Sequence, residues 1–196
     1  MTVFLIILIA YLIGSIPFGL LGKFFFKIED PRTFGSKNIG ATNVLRSGNK
    51  KAAAFTLFFD MFKGFIAVFI SSFIDNDLVY LAILSVVFGH IFPIYLLFKG
   101  GKGVATFLGA LVSYSTIVGS LTLLAWITVF YFTRKSSVAG LSAIVLSNLF
   151  LFVFCDNTSV KFSLLLLSIF ILFKHSENIK RLLNKEEFSF QGRDKN

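Results

Sequence analysis

Long apolar runs separated by short polar ones fill the sequence, and this alternation predicts helices that cross a bilayer. Residues 3–26, 52–74 and 78–97 each approach the roughly 20 residues that a helix needs to span about 30 Å of hydrocarbon. Gly14-Ser15-Ile16-Pro17 predicts a kink in the first run, which Lys23 and Lys27 stop. Residues 104–133 are too long for one straight crossing and short for two full ones. Gly119-Ser120 in their middle predicts two short helices. Residues 137–154 and 160–173 complete the series. The expectation is an all-α polytopic membrane protein, a single domain over residues 1–196 with about seven transmembrane helices, some of them short.

Charge sorts the polar segments into two sets. Lys23, Lys27, Arg32, Lys37, Arg46, Lys50 and Lys51 face only Glu29 and Asp30 between the first two spans. Lys99, Lys102, Arg134, Lys135 and the basic tail from Lys174 belong to the same side. The alternate loops hold Asp75, Asp77 and Asp156 against Lys161. Basic loops stay inside, so the N-terminus is expected outside and the C-terminus in the cytosol. The first run lacks a basic region ahead of it and is read as a retained span rather than a cleaved signal.

Composition closes off other classes. With 56% hydrophobic residues, 15% charged and 27 phenylalanines, the chain carries far more apolar surface than a soluble domain of this size buries. The net charge of +9 follows from loop sidedness and not from nucleic-acid binding. Cys155 is the single cysteine, which rules out an internal disulfide and suits a packing role.

One polar stretch interrupts the apolar background most sharply: residues 35–46, Gly-Ser-Lys-Asn-Ile-Gly-Ala-Thr-Asn-Val-Leu-Arg. Its glycines let backbone fold closely round a ligand, and Lys37 and Arg46 supply charge to an anion. It lacks the Gly-Lys-Ser/Thr of a nucleotide loop, and a polar loop that merely ends helices remains an alternative. A second segment, Lys99-Gly100-Gly101-Lys102-Gly103, opens a helix and is either an anion site or a flexible basic turn. A third, His175-Ser176-Glu177-Asn178, ends the last span. His175 there is a general base, a neutral donor to phosphate, or a structural residue. His90 is expected to be a packed or helix-orienting residue. Asp60 and Lys63 lie three apart inside a span, where charge is costly, and are expected to form a buried pair bracing the polar stretch. There is no His-x-x-x-x-Asp, no Gly-x-Ser-x-Gly, no His-Glu-x-x-His and no cysteine pair, so covalent catalysis and zinc hydrolysis are poorly supported. What remains is a set of anion binders, suited to a substrate already activated by phosphate. A transporter would need polar groups along several spans, and a noncatalytic subunit would not need three such segments.

Together these segments resemble the bacterial acyl-phosphate:glycerol-3-phosphate acyltransferase family (PlsY). The likeness rests on residues 35–44 with Arg46, Asp60-Met61-Phe62-Lys63-Gly64, Gly89-His90-Ile91-Phe92-Pro93, residues 98–106, and His175 with Asn178-Ile179, in order. It implies a seven-helix membrane enzyme using acyl phosphate and glycerol 3-phosphate, without cofactor or metal, at the cytosolic face of the bacterial inner membrane. Its partners would be membrane lipids and, by handover, an enzyme that produces acyl phosphate, with no nucleic acid. By the resemblance, Ser36, Arg46 and Lys102 bind phosphates, and backbone N–H groups of Gly101 and Gly103 complete the cage. His175 and Asn178 position glycerol 3-phosphate, and Asn38 and Asn43 shape the loop. A family serine at the start of the sixth span aligns with Gly140, so Ser137 or a backbone group is expected to serve in its place. His175, Lys102 and Asn178 are the expected catalytic residues.

Overall fold

The computed structural model describes residues 1–190, and all regular structure among them is helical. Ten α-helices follow one another among the described residues: α1 (Thr2–Ser15), α2 (Phe18–Phe26), α3 (Ala41–Leu45), α4 (Lys50–Ile74), α5 (Val79–Ile91), α6 (Val104–Tyr114), α7 (Thr116–Thr133), α8 (Ser136–Phe154), α9 (Thr158–Lys174) and α10 (Ser176–Leu183). Among the described residues, five segments are long and apolar enough to cross a bilayer: Thr2–Phe26, Lys50–Ile74, Asn76–Leu96, Thr116–Thr133 and Ser136–Phe154. The pair α9–α10, bent by 56°, makes a sixth if taken as one broken span. The chain divides into two compact units, Met1–Gly119 and the residues from Ser120 on.

In the first unit α4 is central, packing against α1, α2, α3, α5 and α6. Small residues allow this closeness. A Cβ added to Gly64 would strike the Thr106 carbonyl of α6, and one added to Gly109 would strike that of Met61 on α4. Such contacts bring helices together in lipid, where burying apolar surface drives nothing. Several hydroxyls inside the bundle are satisfied within their own helices. Ser15 Oγ donates to Tyr11 O (2.8 Å), Thr56 Oγ1 to Ala52 O (2.9 Å) and Ser71 Oγ to Ala67 O (2.8 Å). Phe58, Phe62, Phe69 and Phe73 turn outward along α4, the face a bilayer covers. In the second unit α8 packs against α9, where Asn148 Nδ2 donates to Ser168 Oγ (2.9 Å).

The break within residues 104–133 falls at Ser115, not at Gly119-Ser120. Ser115 is extended (φ −145°, ψ 108°), and Val118 N–H donates to its Oγ at 3.4 Å, so it caps α7. Gly119 lies inside α7, where a Cβ would strike the Val112 backbone; it is there for close approach and not for a break. The preceding helix, α6, has 11 residues, about 16 Å of rise, roughly half the hydrocarbon thickness. The tail also departs from expectation, because residues after Lys174 build α10 and then fold back on it.

Candidate active site

The loop between α2 and α4 is built round two side chains. Asp30 accepts from Arg32 Nε (3.0 Å), Nη2 (2.7 Å) and backbone N–H (3.0 Å), and from Lys23 Nζ (3.3 Å). The Arg32 side chain in contact with it, followed by its backbone donor and Lys23, outweighs burial and holds the Asp30 carboxyl well below the carboxylate range. Asn43, 1% exposed, does more. Its Oδ1 accepts from Ser36 N–H (2.9 Å) and Arg46 Nη1 (3.1 Å). Its two Nδ2 hydrogens are shared among the carbonyls of Pro31 (2.6 Å), Asn38 (2.9 Å) and Phe34 (3.2 Å). The stretch thus curls round one amide, with Lys37 in the left-handed region (φ 55°), a strained choice for a residue with a side chain. Asn38 Oδ1 accepts Gly40 N–H (2.8 Å), which sets the start of α3. The structure brings Ser36, Asn38, Asn43 and Arg46 together on this loop. Asn43 is consumed by the loop itself, which suits shaping it.

The glycine segment is fixed differently from the expected cage. Gly101 N–H donates to His90 O (3.1 Å) and Gly100 N–H to Ile91 O (3.1 Å), so both continue the end of α5. The Gly101 amide is committed to the protein backbone and is not turned to a ligand. The need for glycine is steric, because a Cβ at Gly101 would land on the His90 imidazole. Gly103 adopts φ 90° and caps α6, placing Lys102 immediately before a helix N-terminus that favours an anion. Beneath the glycines lies a buried polar chain. Asp60 pairs with Lys63 (2.8 Å), His90 Nδ1 lies 3.5 Å from the same carboxylate oxygen, and Lys63 Nζ donates to Ile16 O (2.8 Å). The pair forms as expected, but what it meets is the α1–α2 break and, through His90, the glycine turn. We expect Gly101→Ala to lower kcat/KM by about 10-fold or more, the scale of an overpacking strain. Removing the ring with His90→Ala should restore part of that loss, and a double variant no better than Gly101→Ala would refute the contact.

In the second unit His175 is 4% exposed and sits where α9 bends into α10. Its Nδ1 lies 2.8 Å from Ile171 O. A carbonyl only accepts, so Nδ1 carries the hydrogen, and when the ring is neutral Nε2 is an acceptor. This tautomer suits a base, or a group receiving a hydroxyl; donation from Nε2 to phosphate would require the imidazolium. Asn178, three residues on, is also buried, and its Nδ2 donates to Glu187 Oε1 (2.7 Å) while Arg181 Nε donates to Oε2 (2.8 Å). Burial raises the Glu187 carboxyl, but Asn178, Ser137 and Arg181 together outweigh it and hold it low. The buried Ser137 hydroxyl contributes to this without completing a formed hydrogen bond. Gly140 is buried one turn along α8. Sequence reasoning missed Glu187. The available signal was a carboxylate in a basic tail, next to two aromatic residues that also dock. Phe188 lies under Arg181 (5.5 Å), and Phe190 packs on Phe130 with its N–H on Arg134 O (2.8 Å).

Apolar helices of crossing length, small-residue contacts between them and polar turns at their ends define an all-α polytopic membrane protein. The chain belongs to the glycerol-3-phosphate acyltransferase family, whose model, described as Glycerol-3-phosphate acyltransferase, matches residues 4–185. It is 43% identical over 197 residues to the glycerol-3-phosphate acyltransferase of Bartonella quintana, covering 97% of this chain and 93% of that one. It is also 43% identical over 190 residues to that of Paraburkholderia phymatum, covering 93% and 90%. Among solved structures it is similar to PlsY, an integral membrane glycerol 3-phosphate acyltransferase. The glycerol 3-phosphate form of PlsY superposes with a TM-score of 0.91 at 37% identity, and the lysophosphatidic acid form with 0.89 at 36%. Each covers 97% of this chain and 96% of the other.

Proposed function

We propose that the chain moves a fatty acyl group from acyl phosphate to the 1-hydroxyl of glycerol 3-phosphate, giving lysophosphatidic acid and inorganic phosphate. This is the first acylation of phospholipid synthesis, placed in a bacterial inner membrane with the three polar segments toward the cytosol. The observation that carries the reading is similarity over 97% of the chain to glycerol-3-phosphate acyltransferases, together with two loops that each place a cation: Arg46, held by the Asn43 side chain, and Lys102 at the head of α6.

In this reading Ser36, Arg46 and Lys102 hold the phosphates, and His175 and Asn178 position the acceptor hydroxyl. That oxygen attacks the acyl carbonyl carbon, the bond from that carbon to the phosphate oxygen breaks, and phosphate leaves with the electron pair. The anhydride is already a good leaving group, so positioning and charge neutralisation carry most of the rate. The hydroxyl proton passes to the substrate's own phosphate. Accordingly, His175→Gln should slow turnover by less than about 100-fold and leave the shape of the pH–rate profile unchanged. A loss beyond that, with the acid limb of the profile gone, would make histidine the base.

The direct test uses the purified protein in detergent or lipid with acyl phosphate and glycerol 3-phosphate. Lysophosphatidic acid and phosphate should form in equal amounts. Folded protein that makes neither would overturn the reading, and activity with acyl-CoA alone would assign the chain another donor.

A further inference from the structure

A second basic feature borders the same loop, at the ends of the helices that flank it. An open cleft of about 960 Å³ runs between the end of α2 and the start of α4. Phe26, Ile28 and Phe34 supply its apolar lining and Lys27, Lys50 and Lys51 its charge, while Arg46 also borders it. None of these three lysine side chains has a hydrogen bond or ion pair to a described residue. The one carboxylate in the lining, Glu29, already accepts from Thr33 Oγ1 (2.7 Å).

This arrangement is electrostatically unfavourable as it stands. Lys50 and Lys51 are the first two residues of a 25-residue helix, so two cations sit at the positive end of its dipole, where carboxylates are favoured. Lys27 adds a third, held at the end of α2 in the left-handed region (φ 50°). An anion bound among them would offset all three charges and the helix end together. The depth of the cleft identifies the kind of anion. Phe24 and Phe25, just before Lys27, are 73% and 70% exposed. Exposed rings of this kind belong in lipid, which puts the cleft where hydrocarbon gives way to headgroups.

We propose that this cleft binds the phosphate headgroup of an anionic phospholipid from the leaflet it borders, beside Arg46 but through three lysines to which the proposed acyl transfer gives no role. Lys27, Lys50 and Lys51 contact the phosphate, and the phenylalanines meet the glyceride and upper chain carbons.

The test compares the full-length protein in bilayers of phosphatidylcholine with the same bilayers containing phosphatidic acid. The anionic lipid should raise Tm by about 3 °C or more, as expected for a ligand that binds only the folded state. The variant Lys27→Gln/Lys50→Gln/Lys51→Gln should lose that rise while keeping the wild-type Tm and acyl-transfer rate in pure phosphatidylcholine. No rise in the wild type, or an equal rise in the variant, would refute the proposal. So would an equal rise, lost in the triple variant, from inorganic phosphate added to phosphatidylcholine bilayers, which would make the ligand of these lysines a soluble anion. A variant that is folded but slow in pure phosphatidylcholine would assign the cleft to the substrate site. Failure of acyl transfer in every form would instead count against the proposed function and leave the Tm comparison standing.

Discussion

Lys102→Ala is expected to cut kcat/KM for acyl transfer by about 100-fold or more while leaving Tm nearly unchanged. The magnitude is that of removing one fixed charge-stabilising donor from a site where negative charge builds up. The position explains why fold and activity should separate. Lys102 lies between a glycine tied to the end of α5 and one capping α6, so Gly101 and Gly103 set the backbone path through it. Lys102→Arg keeps the charge but changes its shape from a compact ammonium to a planar fork, and should recover only part of the rate. Near wild-type activity in Lys102→Ala, measured with both substrates varied, would remove this residue from the phosphate site. Arg46→Ala should behave similarly, and if both variants stay active the assignment of these loops to phosphate is wrong.

Asn43→Ala should fail in a different way, losing activity and stability together. The amide holds Ser36 N–H and Arg46 on its oxygen and three carbonyls on its nitrogen, all from a loop with little regular structure. Truncation leaves several buried groups unsatisfied at once, each costing about 1–3 kcal/mol. The expected result is a Tm lowered by several degrees or more and activity near background. Asn43→Asp is the sharper probe. It preserves the acceptor for Ser36 and Arg46 but turns an oxygen toward three carbonyls, so it should be nearly as damaging as alanine. A stable, active Asn43→Asp variant would show that the nitrogen side of the amide does not hold the loop.

Much of this was legible beforehand, and the reasons differ by element. The crossing helices follow from apolar run length, a local property, and their ends agree with the charged residues that stop them. Asn43 stood out as an amide in a glycine-rich stretch, but its position at the centre depends on carbonyls at Pro31, Phe34 and Asn38 that no sequence pattern orders. Gly119 misled because glycine serves both breaks and close packing. Deciding between them required the Val112 backbone, while the true break carried a capping serine. Gly101 was read as an amide donor when its constraint was the His90 ring. Glu187 was hidden because its partners Asn178, Arg181 and Ser137 lie on two helices, and a carboxylate in a charged tail looks like solvated surface.

Asp60 and Lys63 are three residues apart on one helix and 2.8 Å from each other, which bears on how the protein is made. A lysine in an apolar segment opposes its release from the translocation channel into lipid, at about 2.5–3.5 kcal/mol at the centre of a span. Here the counter-ion belongs to the same segment, one turn away, so the two charges can neutralise each other as soon as α4 coils. The helix can then partition into the bilayer as a neutral unit during synthesis, before the rest of α5 and its histidine have been translated. Reversing the two charges should be tolerated at that stage, whereas replacing Asp60 alone should leave nascent chains that insert poorly.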